Sequence, residues 1–518
     1  MPIKRITKPR SRSASLIVLV TILALVGCHF PQPLPADPID TAQRQTETAG
    51  ILNPQSLPTA AIEPLPIQGL TTVTPPLNPV QQVDGYLLYT VQQGDTLPAL
   101  ARRFGVSENE ILSLVPLSEN GLLPIGNQLQ LPDRLGTVLP FPDPILPDSE
   151  VIYGPSVGSF DITAFASEAG GYLSDYTELV RGEMMSGPHI VQLVAIETST
   201  NPRLLLAFLE YRSGWVLGHP DRAETNRFPI GYRSATAPGL YQELLITARL
   251  LAQGFYGWRD GSRLEVTYLN GAKSRIPPGL NAGSASLMGL FAALHDRPTW
   301  QTSLYGSESF LDFYADMFGD YWSRAALIEP YLHPADRQPD LVLPFAPGEA
   351  WSLTAGPHIT WQTGTPRGAL DFAPITGEPA CAVSFRWVTA AAPGLVVRSD
   401  RGVVVVDLDG DGDEGTGWVL VYLHIAERNR VPAGTWLTQD AAIGHPSCEG
   451  GQATGTHVHL ARKFNGEWLP AEGPFPMILS GWQAFATGGR YDGYLQKGEV
   501  RVNSRPGGSS GSTIIRED

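Results

Sequence analysis

The sequence predicts a multidomain α+β protein: a small βααβ module, a mainly helical middle domain and a β-rich C-terminal domain. Three observations predict it. The 518 residues, 42% of them apolar, are too many for one core, since a single domain usually holds about 100–200 residues. Gly 54 and Pro 46 together make up about a fifth of the chain, which implies linkers and many turns. The apolar period also changes along the chain, from helical spacing in the middle to short β-branched runs between Gly-rich turns toward the C-terminus. A formal charge of -15 carries no nucleic-acid footprint.

Residues 1–12 hold Lys4, Arg5, Lys8, Arg10 and Arg12 without an acid, and Leu16 to Val26 is an almost unbroken apolar run. This is the layout of a secretory signal, and the run is shorter than the ~20 residues that span a bilayer. Leu25-Val26-Gly27-Cys28 resembles the lipobox of bacterial lipoproteins. The resemblance implies a signal peptide over 1–28, cleavage before Cys28 and acylation of Cys28, which anchors the exported body to the membrane, facing the cell wall or periplasm. Cys381 and Cys448 then remain. An exported compartment lets them pair as a disulfide, and two buried thiols are the alternative. Residues 29–83, rich in Pro, Thr and Gln, read as an extended linker.

Between 84 and 134 the order is strand, helix, helix, strand. Leu87-Leu88-Tyr89-Thr90-Val91 is β-prone, and Gln93-Gly94-Asp95-Thr96 turns into a helix with Leu97, Leu100, Ala101 and Phe104 on one face. Ser107-Glu108-Asn109-Glu110 is a capping box for a second helix, and Gln128 to Pro132 alternates as a strand. Tyr89 to Leu97, Ala101 to Val106 and Ile125 to Pro132 resemble a LysM domain. The resemblance implies binding of N-acetylglucosamine glycans such as peptidoglycan, in a groove bordered by Gly94, Asp95, Thr96 and Ile125.

Residues 135–158 read as a second linker. Over 159–340, apolar residues recur at helical spacing in Ile190 to Ile196, Pro202 to Tyr211, Tyr241 to Gln253, Ala285 to Leu294 and Glu308 to Phe318. Asn201 to Gly214 resembles the helix that carries the catalytic Glu of lysozyme-like lytic transglycosylases. There the acid directly precedes a Ser, and here Arg212 occupies that place. A guanidinium cannot act as a general acid. Glu210 reads as a solvated or capping acid, and the domain as a spacer or guide.

Five of the ten histidines, His358, His424, His445, His457 and His459, fall between residues 358 and 459, which raises a metal hypothesis. In a strand, His457 and His459 share a face. Asp371-Phe372-Ala373-Pro374 with Gly377, Tyr422-Leu423-His424 and Gly455-Thr456-His457-Val458-His459 resemble, in order, three blocks of the LytM-type (M23) zinc metallopeptidases, peptidoglycan endopeptidases. The resemblance assigns the domain 341–486 and implies Zn2+ held by Asp371, His459 and a first-block histidine, with His457 as general base and His424 as stabiliser of the oxyanion. The family places that first histidine four residues before the aspartate, where this chain has Arg367, which offers no lone pair. Two readings follow. His358, thirteen residues upstream, completes the site through the intervening loop; or Arg367 pairs with Asp371, no zinc binds, and the domain binds peptidoglycan or activates another hydrolase without catalysis. The first is preferred, since His424, His457 and His459 have little use without proton-transfer chemistry. His445 has no family role and reads as structural.

Asp407, Asp409, Asp411 and Asp413 alternate as in a calcium loop, but the twelfth position from Asp407 is Trp418 rather than a bidentate acid. Ca2+ or a plain acidic hairpin tip are the two readings. Residues 487–518 read as a disordered tail. The assembled expectation is an exported, lipid-anchored zinc endopeptidase that cuts peptidoglycan stems or cross-links, with the LysM domain holding the glycan.

Overall fold

The structure is a computed structural model, which describes residues 78–135, 142–220, 223–233 and 238–517. The signal segment, Cys28 and nearly all of the first linker lie outside the described residues. Among the described residues, no helix is long and apolar enough to cross a membrane.

The first module is a four-stranded antiparallel sheet in the order Val80–Val83, Tyr86–Thr90, Gln128–Pro132, Leu112–Ser113, with the helix Leu97–Phe104 packed on it. Its first strand begins inside the expected linker 29–83. Thr96 caps the helix through Ala99 N–H, and Gly105 ends it at φ 67°. The second expected helix is only the single 3-10 turn Glu108–Glu110. Its capping box forms, with Ser107 N–H donating to Glu110 at 2.9 Å. Pro116 then disfavours helix at Val115, and Leu112 and Ser113 pair instead with Gln130 and Leu129.

The middle domain is mainly helical, as expected, with two small hairpins, Thr177–Val180 with Glu183–Ser186 and Glu265–Thr267 with Lys273–Arg275. It starts earlier than expected: Leu146, Asp148, Ser149, Glu150, Val151 and Ile152 are buried, so 135–158 is not a linker throughout. Asp148 explains part of this by accepting from Gly283 N–H at 2.7 Å, at the start of the helix Ala282–Leu294. That helix crosses the helix Leu240–Arg259 at close range. A Cβ on Gly254 would lie 2.6 Å from Ser286 Cα, so the crossing requires glycine there.

The C-terminal domain is a nine-stranded antiparallel sheet. Its main path runs Trp436–Leu437, Gly394–Asp400, Val403–Asp407, Trp418–Leu423, Val458–Phe464, Arg367–Pro374, Ala350–Ile359, Thr513–Ile515. Alternate residues of its central strands face opposite ways. Val404, Val406, Leu420 and Leu460 fill the domain's own core, while Val403, Val405, Val419, Val421 and Ala461 pack into the apolar cluster of the helical domain. Burial on both faces accounts for the unbroken apolar run Val403-Val404-Val405-Val406.

Residues 487–517 are built into this domain and are not a disordered tail. Gly493–Lys497 and Val500–Asn503 extend a four-stranded sheet, and Thr513–Ile515 pairs with Ala350–Ser352 at the edge of the main one. Composition hid this because the apolar residues are sparse but alternate correctly: Leu495, Val502 and Ile514 are all buried. Arg367 also holds the segment. Its guanidinium donates to the carbonyls of Pro357 (2.9 Å), Thr487 (2.9 Å), Gly489 (2.6 Å) and Asp492 (3.2 Å). Arg367→Ala is therefore expected to lower stability by about 1–3 kcal/mol in a denaturant titration, with metal content unchanged.

Candidate active site

Register assembles the site. Asp371 and His459 are direct antiparallel partners, and His459 on its other side faces Leu423, the residue before His424. His457 lies two residues before His459, so its ring shares that face. The strand Trp418–Leu423 ends at His424, which has φ 69°, a left-handed conformation that non-glycine residues adopt at a cost and often at functional sites. His358 arrives on the neighbouring strand Ala350–Ile359, where it opposes Ala369. Irregular pairing between Ala369 and Asp371 breaks the simple two-residue alternation and brings its ring to the carboxylate. The hairpin between 359 and 367 thus delivers the distant histidine.

The distances are short. His358 Nε2 and His459 Nδ1 lie 3.3 and 3.2 Å from Asp371 Oδ1 and 3.0 Å from each other. His457 Nε2 is 3.6 Å from Asp371 Oδ2, and the His424 and His457 rings are 4.4 Å apart. Each imidazole also has its other nitrogen on a backbone carbonyl: His358 Nδ1 on Gly356 (2.9 Å), His459 Nε2 on Thr360 (2.9 Å), His457 Nδ1 on Gly455 (2.8 Å) and His424 Nδ1 on Glu449 (2.8 Å). A carbonyl can only accept, so these nitrogens carry the N–H of the neutral rings. The lone pairs of His358 Nε2 and His459 Nδ1 then converge on Asp371 Oδ1, a buried oxygen with no hydrogen-bond donor. Three acceptors gathered without a donor call for a cation, and the set of two imidazoles and one carboxylate suits zinc.

The electrostatics follow from burial and this clustering. Burial disfavours the charged form of Asp371, yet His358 and His459 hold its carboxyl well below the usual range. Burial likewise opposes protonation of His358, but Asp371 raises it overall. His459 is lowered, chiefly by burial. Burial and the neighbouring His457 and His459 push His424 down to about 3.

The site opens into a cleft of about 1180 Å³, whose lining includes Asp371, His457, Thr376, Gly455, Tyr491 and Ser509, all from the C-terminal domain. Tyr491, whose ring centroid is 5.3 Å from that of His358, belongs to the segment read as disordered, so its place on the cleft was not legible. Cys381 and Cys448 are disulfide-bonded, joining the two loops that supply Thr376 and Gly455 to the cleft. Cys448 directly precedes Glu449, whose carbonyl orients His424. Closing 67 residues stabilises by about 4 kcal/mol in the chain-entropy account. The double variant Cys381→Ser, Cys448→Ser is expected to lose roughly that amount in chemical denaturation, together with part of the activity.

Arg367 does not pair with Asp371, since its guanidinium is taken up by the four carbonyls above. His445 is structural, with Nδ1 on Arg386 O at 2.9 Å and its ring 4.0 Å from that of Trp387. Glu210 caps a loop, accepting from Val216 and Leu217 N–H at 2.6 and 2.9 Å, and Arg212 donates to Ile230 O at 2.9 Å. The four-carboxylate calcium site is not formed. Oxygens of Asp407, Asp409 and Asp411 do come within 4.8 Å of one another, but Asp413 is outside that group and accepts from Gly415 N–H at 2.8 Å. Asp407 is likewise engaged by its own loop, through Gly412 N–H at 2.9 Å.

In the first module, Asp95 is not available to a glycan. It is 2% exposed and accepts from Tyr89 Oη (2.6 Å), Gln92 N–H (2.8 Å) and Arg103 Nη1 (2.8 Å). Gly94 is buried too: a Cβ there would meet Arg259 Nη1 at 1.6 Å. Thr96 is half-buried, and Ile125 is exposed.

Comparison with known proteins supports a peptidase-related chain with an added LysM domain. Residues 89–132 match the LysM domain and residues 144–331 match "LasA, N-terminal domain". The chain is 26% identical over 374 residues to protease LasA of Pseudomonas aeruginosa, covering 67% of this chain and 78% of that one. It is 29% identical over 160 residues to the beta-lytic metalloendopeptidase of Achromobacter lyticus, covering 29% of this chain and 40% of that protein. Among solved structures, the M23 metalloprotease pseudoalterin matches at 23% identity and a TM-score of 0.27, covering 32% of this chain and 96% of that one. The chain thus contains a LysM domain and a LasA-like N-terminal domain, and is homologous to LasA and the M23 metallopeptidases.

Proposed function

We propose that this protein is a zinc-dependent endopeptidase that hydrolyses peptide bonds in peptidoglycan stems or cross-links, with its LysM domain contributing affinity for glycan and an acylated Cys28 tethering it to the membrane. The observation that carries the catalytic reading is the convergence of His358 Nε2, His459 Nδ1 and Asp371 Oδ1 on one point, beside two further imidazoles. Bound there, zinc supplies Lewis acidity, which lowers the pKa of water to about 7 and polarises an amide carbonyl.

The chain's own residues account for the proton traffic. His457 presents an Nε2 lone pair, because Gly455 O holds its Nδ1–H, and so accepts a proton from the attacking water. His424 is kept neutral, and Glu449 O holds its Nδ1–H. It can therefore donate toward the developing oxyanion only once a proton reaches its Nε2. The adjacent pair handles one proton, taken from water and returned to the leaving amine. The cleft is lined largely by small residues, among them Ala355, Ala373, Gly455, Gly507 and Ser509, which suits an extended peptide.

The test is metal analysis of the purified full chain together with release of new amino termini from purified peptidoglycan. About one zinc per chain and activity abolished by a chelator and restored by zinc support the reading; activity that persists in metal-free protein overturns it.

A further inference from the structure

The LysM domain carries both a core of its own and an interface that covers its groove. The turn 92–96 is held from the helical domain by three contacts. Gln92 Nε2 donates to Gly279 O at 2.8 Å, Gln93 Oε1 accepts from Tyr331 N–H at 3.0 Å, and Arg259 Nη1 donates to Gln93 O at 2.5 Å. The Arg259 guanidinium lies directly over Gly94. On the opposite side of the groove, Leu122, which bridges to Thr96, packs into the apolar cluster of the helical domain instead of its own module. The turn that borders the groove is thereby covered by the helical domain, and Leu122 beside Thr96 is buried against the same domain, while Ile125 on the far border stays exposed.

Arg259 is itself fixed from behind, with Asp148 at 2.9 Å and Glu467 of the catalytic domain at 3.2 Å. The fit is nevertheless incomplete. Gln93 Nε2 and Arg259 Nε are buried here without hydrogen-bond partners, a cost that separation of the domains would relieve. The LysM core, made of residues such as Leu87, Tyr89, Leu100, Phe104 and Leu129, is a separate cluster, so the module can undock without unfolding.

We propose that the helical domain holds the LysM domain closed, with the Arg259 guanidinium occupying the glycan groove, and that N-acetylglucosamine oligomers bind only after this interface opens. The proposal rests on the glycan-binding reading of the LysM domain and adds its regulation. A ligand that needs a minor open state binds more weakly by the fraction of that state.

Gly279 provides a wedge on the helical side, meeting the groove turn only through its backbone carbonyl: a Cβ there would lie 2.5 Å from Val80 Cγ2 in the first LysM strand. The full-length wild type and Gly279→Gln are titrated with a hexamer of N-acetylglucosamine by calorimetry, and amide hydrogen exchange of residues 92–96 is followed in both. Arg259→Ala is run in parallel as a second opening. Faster exchange and binding tightened about tenfold or more in Gly279→Gln support closure. Equal, tight binding by wild type and both variants overturns closure while leaving the glycan reading intact. Unchanged exchange in both variants overturns it as well. Faster exchange without binding overturns the glycan reading, and the proposal with it.

Discussion

His358→Ala is expected to leave the protein folded but without stoichiometric zinc, and to lower its endopeptidase activity by about 100-fold or more. The magnitude follows from comparison, since even partners that only orient a metal ligand are worth about 10–100-fold. His358 contributes one of the three lone pairs around Asp371 Oδ1, and its Nδ1–H on Gly356 O fixes which nitrogen faces inward. Removing the ring leaves one imidazole and one carboxylate, an incomplete zinc set. Elemental analysis of the dialysed protein checks the metal, and a thermal melt of chelator-treated wild type gives the reference for a folded, metal-free chain. Full zinc retention in His358→Ala would remove this residue from the ligand set. Arg367→Ala serves as the contrasting variant, because its bonds run to three carbonyls of the C-terminal segment and to Pro357 O, and none to Asp371. Loss of zinc from Arg367→Ala at neutral pH would show that this separation of roles is mistaken.

The ease of reading differed between the two halves of the site. Asp371, His424, His457 and His459 stand in short local blocks, where strand period and spacing tie each residue to its neighbours. His358 had no such block. Its proximity depends on the turn between two paired strands and on irregular register near Ala369, neither of which has a distinctive sequence signal. Thirteen residues of separation could equally have put the ring on the far face. The C-terminal segment was misread for another reason. Gly507-Gly508-Ser509-Ser510-Gly511-Ser512 dominates its composition, while the three residues that anchor it, Leu495, Val502 and Ile514, are spaced widely. The LysM motif, by contrast, was legible as a module, although its second helix is a single 3-10 turn and a strand precedes Tyr86. Its groove residues were not legible as available, because Arg259 lies more than 150 positions away in the chain and nothing in the motif announces a covering domain.

His457→Gln is expected to retain about one zinc per chain and to lose about 10²–10⁴-fold in kcat, the inverse of the His358→Ala pattern. The glutamine side chain can occupy part of the imidazole's volume but cannot take up a proton at neutral pH. His457 lies 3.6 Å from the far oxygen of Asp371, outside the group of three convergent ligand atoms, so the metal set survives the change. His424→Ala should be similarly slow. The informative measurement is the double variant. His424 is uncharged well below neutral pH, and its Nδ1–H is committed to Glu449 O, so it can act on the oxyanion only through the proton that enters the pair. With His457 gone, that proton has lost its acceptor, and removal of His424 should cost little more. Groups that act as a unit are non-additive in this way. Single-turnover rates at saturating substrate decide it: a double variant no slower than the worse single variant, within about threefold, fits one shared proton, whereas losses that multiply would mean that the two histidines act independently and that His424 donates without a proton from the water.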